Sequence, residues 1–249
     1  MTEESHEKLD VLLISPPIFY ETDRNIWKNV NSNFPPLGLA SIAACIRERG
    51  YSVKIIDCNI FSPSVDSFGV FFKEKIAKKY SDIKFIGLTA MTPTIKKAYK
   101  IAEICKEYFP NATTVFGGVH ATFLYEEVIK NKIVDIVILG EGEITFQDIV
   151  AGRELAKTEG IVYKKKDKGK IRIIKTKERA RILDLDNLPM PAYDLLPILR
   201  YKPAKGTYKR LPAMSMITSR GCPGRCTFCN KTLGNKLVFK SSKTIYKEI

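Results

Sequence analysis

The chain has 249 residues, 45% of them hydrophobic, which is enough for one large domain or two ordinary domains with a substantial core. No apolar run approaches the roughly 18 residues that a membrane-spanning helix needs, and the acidic, polar N-terminus lacks the pattern of a signal peptide. The net charge of +14 is uneven, because residues 161–249 hold 22 Lys and Arg against 6 Asp and Glu, whereas residues 1–160 hold 19 against 21.

Residues 9–150 alternate between strand-like and helix-like segments. Apolar runs bounded by turn residues predict five strands, at residues 11–14, 53–56, 85–88, 113–116 and 136–139. Apolar positions at helical spacing predict five helices, at residues 35–49, 68–79, 95–109, 122–130 and 144–150. This alternation predicts an α/β fold in which a doubly wound, Rossmann-like parallel sheet of five strands carries helices on both faces.

The pattern changes after residue 158. Two runs rich in β-branched residues flank a turn containing Lys and Gly, and they predict a β-hairpin over residues 161–175. Five prolines within residues 176–212 predict a linker, and the apolar residues that follow predict a new strand over 213–218. We therefore expect an α/β domain over residues 1–158, a hairpin and linker over 159–212, and the start of a second domain over 213–249.

The carboxyl ends of the predicted strands form the candidate ligand site, because ligands of open α/β sheets bind at that edge. Small residues recur there, so the backbone can approach a ligand and short side chains can hydrogen-bond to it. The dinucleotide fingerprint G-x-G-x-x-G is absent after the first strand. The candidate cofactor-binding residues at this edge are Ser15, Thr89, Met91, Thr92, Gly117, Gly118, His120, Gly140, Glu141, Gly142 and Glu143.

Three of the six cysteines lie within eight residues, at Cys222, Cys226 and Cys229. The spacing C-x3-C-x2-C suits three irons of a [4Fe–4S] cluster whose fourth iron stays open to a small molecule. A structural zinc site would need a fourth ligand, and no His or Cys follows Cys229. The other alternative is three unrelated buried cysteines. The remaining cysteines are predicted to be small buried hydrophobic residues, namely Cys45, Cys58 and Cys105.

The cysteine loop resembles the signature of the radical S-adenosylmethionine enzymes in its three spacings and in the preceding residues 219–223. Phe228 supplies the aromatic residue that this family has before its last cysteine. The resemblance implies that Cys222, Cys226 and Cys229 ligate a [4Fe–4S] cluster and that S-adenosylmethionine binds the open iron. It also implies reductive cleavage to a 5'-deoxyadenosyl radical, a small-molecule substrate, and a reductant such as ferredoxin or flavodoxin.

The earlier segments resemble the cobalamin-binding domain that precedes the radical barrel in many of these proteins. The matching stretches are residues 35–40, 50–51, 55–57, 117–122 and 140–143. The resemblance implies a methyltransferase-like or cyclase-like enzyme in which a methyl group on cobalt is transferred to a substrate radical. The motif D-x-H-x-x-G, whose His ligates cobalt in some cobalamin proteins, is absent. We therefore expect cobalamin to bind without histidine, and His120 either contacts the ligand or packs at a helix start.

Residues 213–249 hold only the first strand, the cluster loop and the start of one helix of a radical barrel, so we expect a truncated barrel and a chain that is inactive by itself. The alternatives are a non-catalytic cobalamin-binding module and a radical enzyme whose α/β domain has lost cobalamin. Cysteine usage suits a reducing cytoplasm. Nucleic-acid binding is disfavoured because no aromatic residues interleave the basic stretch. Trp27, in the loop after the first strand, is expected to pack rather than to cap the ligand site.

Overall fold

The computed structural model describes residues 7–18, 33–61, 64–204, 206–230 and 232–249. His6 and Trp27 lie outside the described residues. Within these ranges no helix has the length and apolar character needed to cross a membrane.

Five parallel strands form the centre of the fold, and they are β1 (Glu7–Ser15), β2 (Val53–Asp57), β3 (Tyr80–Thr89), β4 (Thr113–Gly117) and β5 (Ile136–Ile138). Their spatial order is β2-β1-β3-β4-β5, and each neighbouring pair is parallel. Leu13 of β1 lies between Ile55 of β2 and Gly87 of β3. The strands read as apolar runs because helices cover both faces of the sheet. The predicted α/β fold with a mostly parallel sheet is confirmed.

The hairpin extends this sheet. Strand β6 (Ile161–Asp167) pairs antiparallel with β5, and β7 (Lys170–Lys175) pairs antiparallel with β6, which gives one sheet of seven strands. Ile161 lies beside Ile138 at the carboxyl edge of the parallel strands, and β6 runs away from that edge. Six residues of strand place the Lys-rich tip about 20 Å from the edge. The lysines of the tip are therefore remote from the candidate ligand site.

Helices cover the two faces of the sheet. On one face lie α3 (Val65–Phe72), α4 (Ile95–Tyr108), α5 (Val119–Phe123) and α6 (Tyr125–Lys130), which share a buried core with β3. On the other face lie α1 (Leu37–Glu48) and α7 (Glu143–Val150). A short helix, α2 (Cys58–Phe61), follows β2. Cys45, Cys58 and Cys105 are buried free thiols, as predicted.

Two predicted helices differ from the observed ones. The single helix expected over 122–130 is the pair α5 and α6, because Leu124 between them has φ −110° and ψ 34°, outside the helical region. The helix expected over 68–79 begins at Val65, where the Ser64 hydroxyl caps the Ser67 N–H at 3.1 Å. It continues as a π-helical turn over Lys73–Ala77.

The segment over residues 176–204 contains two short 3-10 turns, Tyr193–Leu195 and Ile198–Arg200. Its apolar side chains Ala192, Leu196 and Tyr201 are buried in the same core as α1 and α7. The predicted linker thus packs on the α/β domain. The division at residue 158 stays a prediction, although the sheet and this core continue across it.

The strand predicted over 213–218 is not formed among the described residues, and regular pairing begins one residue later. Strand β8 (Ser219–Arg220) pairs antiparallel with β9 (Val238–Phe239), and helix α8 (Ser242–Glu248) follows. A strand needs a neighbour to satisfy its backbone groups, and in the described part of the chain β9 offers only two residues. Residues 213–218 therefore form no strand among the described residues.

Candidate functional site

A cleft of about 650 Å3 opens at the carboxyl edge of the parallel strands. One wall is formed by the loops that follow β1, β3, β4 and β5, because parallel strands end at the same edge. A second part of the lining comes from the C-terminal segment, through Ile217, Ser219, Arg220 and Leu233. The cleft therefore lies where the α/β domain meets the segment that carries the cysteines.

Most of the candidate cofactor-binding residues lie together on this cleft. They are Ser15, Thr89, Met91, Gly117, Gly118, Gly140, Glu141, Gly142 and Glu143. Thr92, His120 and Phe228 are not among the lining residues. The ligand contacts themselves remain predictions.

Gly87 lines the cleft near the carboxyl end of β3. A Cβ atom at this position would lie 2.6 Å from Phe146 Cε1 and 2.7 Å from Leu13 Cδ2. The absence of a side chain at residue 87 thus lets the Phe146 ring and Leu13, which also line the cleft, pack closely together. Sequence reasoning missed this residue, although a glycine inside an apolar strand is a signal of close approach.

The loop after β4 requires glycine at residue 118. Gly118 has φ +91°, and a Cβ atom there would lie 2.8 Å from Thr89 Oγ1 and 2.9 Å from the Ala90 carbonyl oxygen. The Ala90 N–H donates to the Gly117 carbonyl at 2.9 Å, which draws the ends of β3 and β4 together. Gly117, in contrast, has open space around its missing Cβ.

Thr122 ties two cleft loops together. Its hydroxyl donates to the Gly118 carbonyl at 2.9 Å and accepts from the Gly140 N–H at 3.1 Å. The loop after β4 and the loop after β5 are thus held in fixed relation through one side chain.

His120 is buried and does not line the cleft. Its Nδ1 atom lies 3.1 Å from Thr92 Oγ1. Nε2 is buried and has no hydrogen-bond partner among the described residues. Because His120 is not a lining residue, its position favours packing at the start of α5 over contact with a ligand.

Asp57, at the end of β2, lies in a buried polar network behind the cleft. Its carboxylate accepts from the Asn59 backbone N–H at 3.0 Å and from the Tyr201 hydroxyl at 3.1 Å. Asn59 in turn lines the cleft and accepts from the Ile18 N–H at 2.9 Å. Burial raises the pKa of the Asp57 carboxyl, although the hydrogen bonds from Asn59 and Tyr201 lower it in part.

Arg220 joins the two parts of the cleft lining. Nη1 lies 2.9 Å from Glu141 Oε1, and Nη2 lies 2.6 Å from Glu143 Oε1. The three side chains, which we call the Arg220 fork, are 10% exposed or less. Burial lowers the pKa of Arg220, but the attraction of Glu143 and Glu141 outweighs it, so the pKa of Arg220 lies above its usual value. The sequence predicts no role for Arg220, because no residue near it in the chain indicates a partner nearly 80 residues away.

The cysteine loop begins directly after β8. Cys222, Cys226 and Cys229 are exposed free thiols. The Cys222 N–H donates to the Gly234 carbonyl at 3.3 Å, which closes the base of the loop. A Cβ atom on Gly224 would lie 3.3 Å from the Cys222 Sγ atom and 3.9 Å from that of Cys226, so these two sulfurs face the same glycine.

Within the described ranges no three His, Cys, Asp or Glu side chains are placed to hold one metal ion. In a [4Fe–4S] cluster each thiolate binds a separate iron. Ligation of a cluster by Cys222, Cys226 and Cys229 stays a prediction.

Comparison with known proteins shows what the chain is similar to. The model of the B12 binding domain family matches residues 25–150, about half of the chain. An uncharacterized methyltransferase of Pyrococcus horikoshii is 38% identical over 90% of this chain and 46% of its own length. An anaerobic magnesium-protoporphyrin IX monomethyl ester cyclase of Rubrivivax gelatinosus is 33% identical over 81% of this chain and 36% of its own. The chain spans less than half the length of these relatives.

Two solved structures share the fold. The radical S-adenosylmethionine methyltransferase TsrM from Kitasatospora setae, with cobalamin and a [4Fe–4S] cluster bound, has a TM-score of 0.65 at 14% identity. It aligns with 97% of this chain and 45% of its own. The cobalamin-dependent S-adenosylmethionine radical enzyme OxsB, with aqua-cobalamin bound, has a TM-score of 0.71 at 20% identity. It aligns with 97% of this chain and 31% of its own.

Proposed function

Because the chain belongs to the B12 binding domain family, we propose that its cleft binds cobalamin and that its cysteine loop holds a [4Fe–4S] cluster for S-adenosylmethionine. The whole protein would then be a methyltransferase-like or cyclase-like radical S-adenosylmethionine enzyme. One observation carries the proposal. The cleft at the carboxyl edge is lined both by loops that contain glycine and by the residues that lead into the cysteines.

The cleft is large and exposes backbone to a ligand. Its volume is about 650 Å3, and glycines at 117, 118, 140 and 142 expose backbone to it. Small side chains let the ligand lie close to backbone N–H groups. The sequence has two histidines, of which His6 lies outside the described residues and His120 does not line the cleft. We infer that cobalamin binds without histidine coordination.

The cysteine loop suits a cluster ligated by three residues. Thiolates are the usual cluster ligands, and the three thiols here are exposed, whereas burial raises the pKa of the Cys45 thiol to about 12. When bound, such a cluster supplies an electron to S-adenosylmethionine and starts radical chemistry. The chain's own residues then have to hold the cluster and keep it beside the cleft.

Anaerobic reconstitution with iron and sulfide tests the cluster. We expect about four irons per chain and a broad visible absorbance in the wild-type protein. The triple variant Cys222→Ala, Cys226→Ala, Cys229→Ala should lose both, because no other described thiol is exposed. The matched control Cys45→Ala removes a buried thiol and should load iron normally. Full iron loading in the triple variant would contradict the assignment.

The cleft alone does not define the substrate class or the reductant. Both are inferred from the relatives and from the proposed chemistry. The relatives include a cyclase that acts on a porphyrin ester and an uncharacterized methyltransferase. A small molecule is the expected substrate, and an electron donor of the ferredoxin or flavodoxin kind is the expected partner. A protein that loads the cluster but binds no cobalamin would support the alternative in which the α/β domain serves only as a scaffold.

A further inference from the structure

The Arg220 fork lies between the proposed cobalamin cleft and the cysteine loop. Arg220 lies in β8, two residues before Cys222. It therefore belongs to residues 213–249, which carry the three clustered cysteines and which we call the cysteine segment. Glu141 lies in the loop after β5 and Glu143 is the first residue of α7, and both line the cleft. The fork thus links the start of the cysteine loop directly to a wall of the cleft.

The fork is built to be stiff. Its three side chains are each 10% exposed or less, and separating them would leave largely buried charges without their partners. A guanidinium holds two carboxylates in a fixed planar geometry, which an ammonium group cannot do. Glu143 also begins α7, where the helix dipole favours its negative charge. A displacement on one side of the fork is therefore passed to the other.

The acidic side of the fork is anchored in the cleft wall. The second oxygen of Glu141 accepts from the Ile182 N–H at 2.8 Å, so both of its oxygens are engaged. Gly142, between the two acids, faces Ile42, and a Cβ atom there would lie 2.9 Å from Ile42 Cδ1. Because Glu141 is bonded both to the backbone of Ile182 and to Arg220, a ligand that displaces this loop also acts on Arg220.

We propose that Arg220 is a positioning residue that couples occupancy of the cleft to the cysteine loop, so that cobalamin and the cluster each strengthen the binding of the other. This inference rests on the proposed function. Coupling between two sites is reciprocal, and typical values correspond to a 5- to 150-fold change in affinity. Arg220 has no role in bond breaking here; it holds the cysteine loop in register with the cleft.

The test is the affinity for hydroxocobalamin of the full chain with and without its cluster. In the wild-type protein we expect the dissociation constant to be at least about fivefold lower when the cluster is present. Arg220→Gln should bring this ratio close to one while cobalamin and cluster still bind. The reciprocal measurement is the rate at which a chelator removes iron, which cobalamin should slow in the wild-type protein and not in Arg220→Gln.

Three further variants separate coupling from general damage. Arg47→Gln removes another Arg–carboxylate pair, with Asp194, that also joins the α/β domain to the later segment but lies away from the cleft; its coupling ratio should stay that of the wild-type protein. Arg220→Lys keeps the positive charge but cannot bond to Glu141 and Glu143 at the same time, so its ratio of dissociation constants should also be close to one. If Arg220→Gln does not fold, Glu141→Gln removes one arm only and should lower the ratio.

The outcomes distinguish the inference from the proposed function. If both cofactors bind the wild-type protein with a ratio near one, the coupling is absent and the proposed function stands. A wild-type ratio that survives in Arg220→Gln and Glu141→Gln would overturn the role of the fork. If the wild-type protein binds neither cofactor, the proposed function fails and the coupling fails with it.

Discussion

At the scale of single residues, the cleft is shaped by glycines and by short side chains that tie one loop to the next. Thr122 joins the loops after β4 and β5, and Asp57 joins β2 to Tyr201 of the later segment. Neither contact brings a large apolar area together. Both fix the position of backbone that lines the cleft.

Thr122→Val tests the tie between the two loops. The substitution keeps the shape of the side chain but leaves the Gly140 N–H without its acceptor. We expect a loss of about 1–3 kcal/mol in the free energy of unfolding, measured with urea, because an unsatisfied amide is costly. Thr207→Val removes a hydroxyl from an exposed turn and should change stability by less than about 0.5 kcal/mol. Equal effects of the two variants would contradict the role assigned to Thr122.

His120→Ala tests whether histidine coordinates cobalt. The imidazole is buried, its Nδ1 lies 3.1 Å from Thr92 Oγ1, and His120 does not line the cleft. We expect a loss of about 1–3 kcal/mol in unfolding free energy, since a buried group is removed, and no change in the spectrum of bound cobalamin. A nitrogen-coordinated spectrum that disappears in His120→Ala would show that the histidine is a ligand.

Asp57 should make stability depend on pH. Burial raises the pKa of its carboxyl, so the folded protein binds this proton more tightly than the unfolded chain does. The contribution of Asp57 to the free energy of unfolding therefore falls as pH rises from about 3.9, the usual pKa, to the raised pKa of the folded state, and is constant above it. In urea unfolding at several pH values, the difference between the wild-type protein and Asp57→Asn should show this fall. A difference that is flat, or that rises with pH over that window, would contradict it.

The residues of the cleft were predictable only in part. Small residues at strand ends predicted nine of the lining positions, because strand direction fixes where those ends lie. Arg220 and Gly87 were not predicted as site residues. Their roles depend on partners far along the chain, Glu141 for Arg220 and Phe146 for Gly87, and local sequence does not encode such pairings.

At the scale of elements, the parallel strands were predicted well because buried apolar runs have little other explanation in an α/β chain. Element ends were less predictable. Strand β3 begins at Tyr80, five residues before its apolar run, because β1 extends far enough to pair with it there. The strand expected over 213–218 failed for the converse reason, since the described residues beside it supply only β9.

The hairpin should contribute to the stability of the α/β domain. Strand β5 has three residues and pairs with β4 through only two of them, whereas β6 pairs with all three. We expect a chain of residues 1–204 to unfold at higher temperature, and more cooperatively, than a chain of residues 1–158. Calorimetry of the two chains measures the difference. Identical cooperative transitions would show that residues 1–158 form a complete domain and that the hairpin adds little.

At the scale of the whole molecule, the segment over residues 176–204 connects the α/β domain to the C-terminal helix. Tyr201 of this segment is buried in the same core as α1 and α7. Tyr193 donates to Glu248 at the end of α8, and Glu248 also pairs with Lys240. The basic character of residues 161–249 is concentrated partly at the hairpin tip, which lies far from the cleft. The proposed cobalamin site and the start of the cysteine loop therefore lie together at the carboxyl edge of the parallel strands.

Binding of hydroxocobalamin, followed through the corrin absorbance, tests the central claim most directly. Gly117 lines the cleft and has open space around its missing Cβ, so Gly117→Val adds bulk without a backbone clash. Gly69 of α3 has similar open space but does not line the cleft, and Gly69→Val is the matched control. We predict binding to the wild-type protein and to Gly69→Val, and its loss in Gly117→Val. No binding to the wild-type protein at about 100 μM, equivalent to an affinity weaker than about −5.5 kcal/mol, or unchanged binding to Gly117→Val, would contradict the assignment of the cleft.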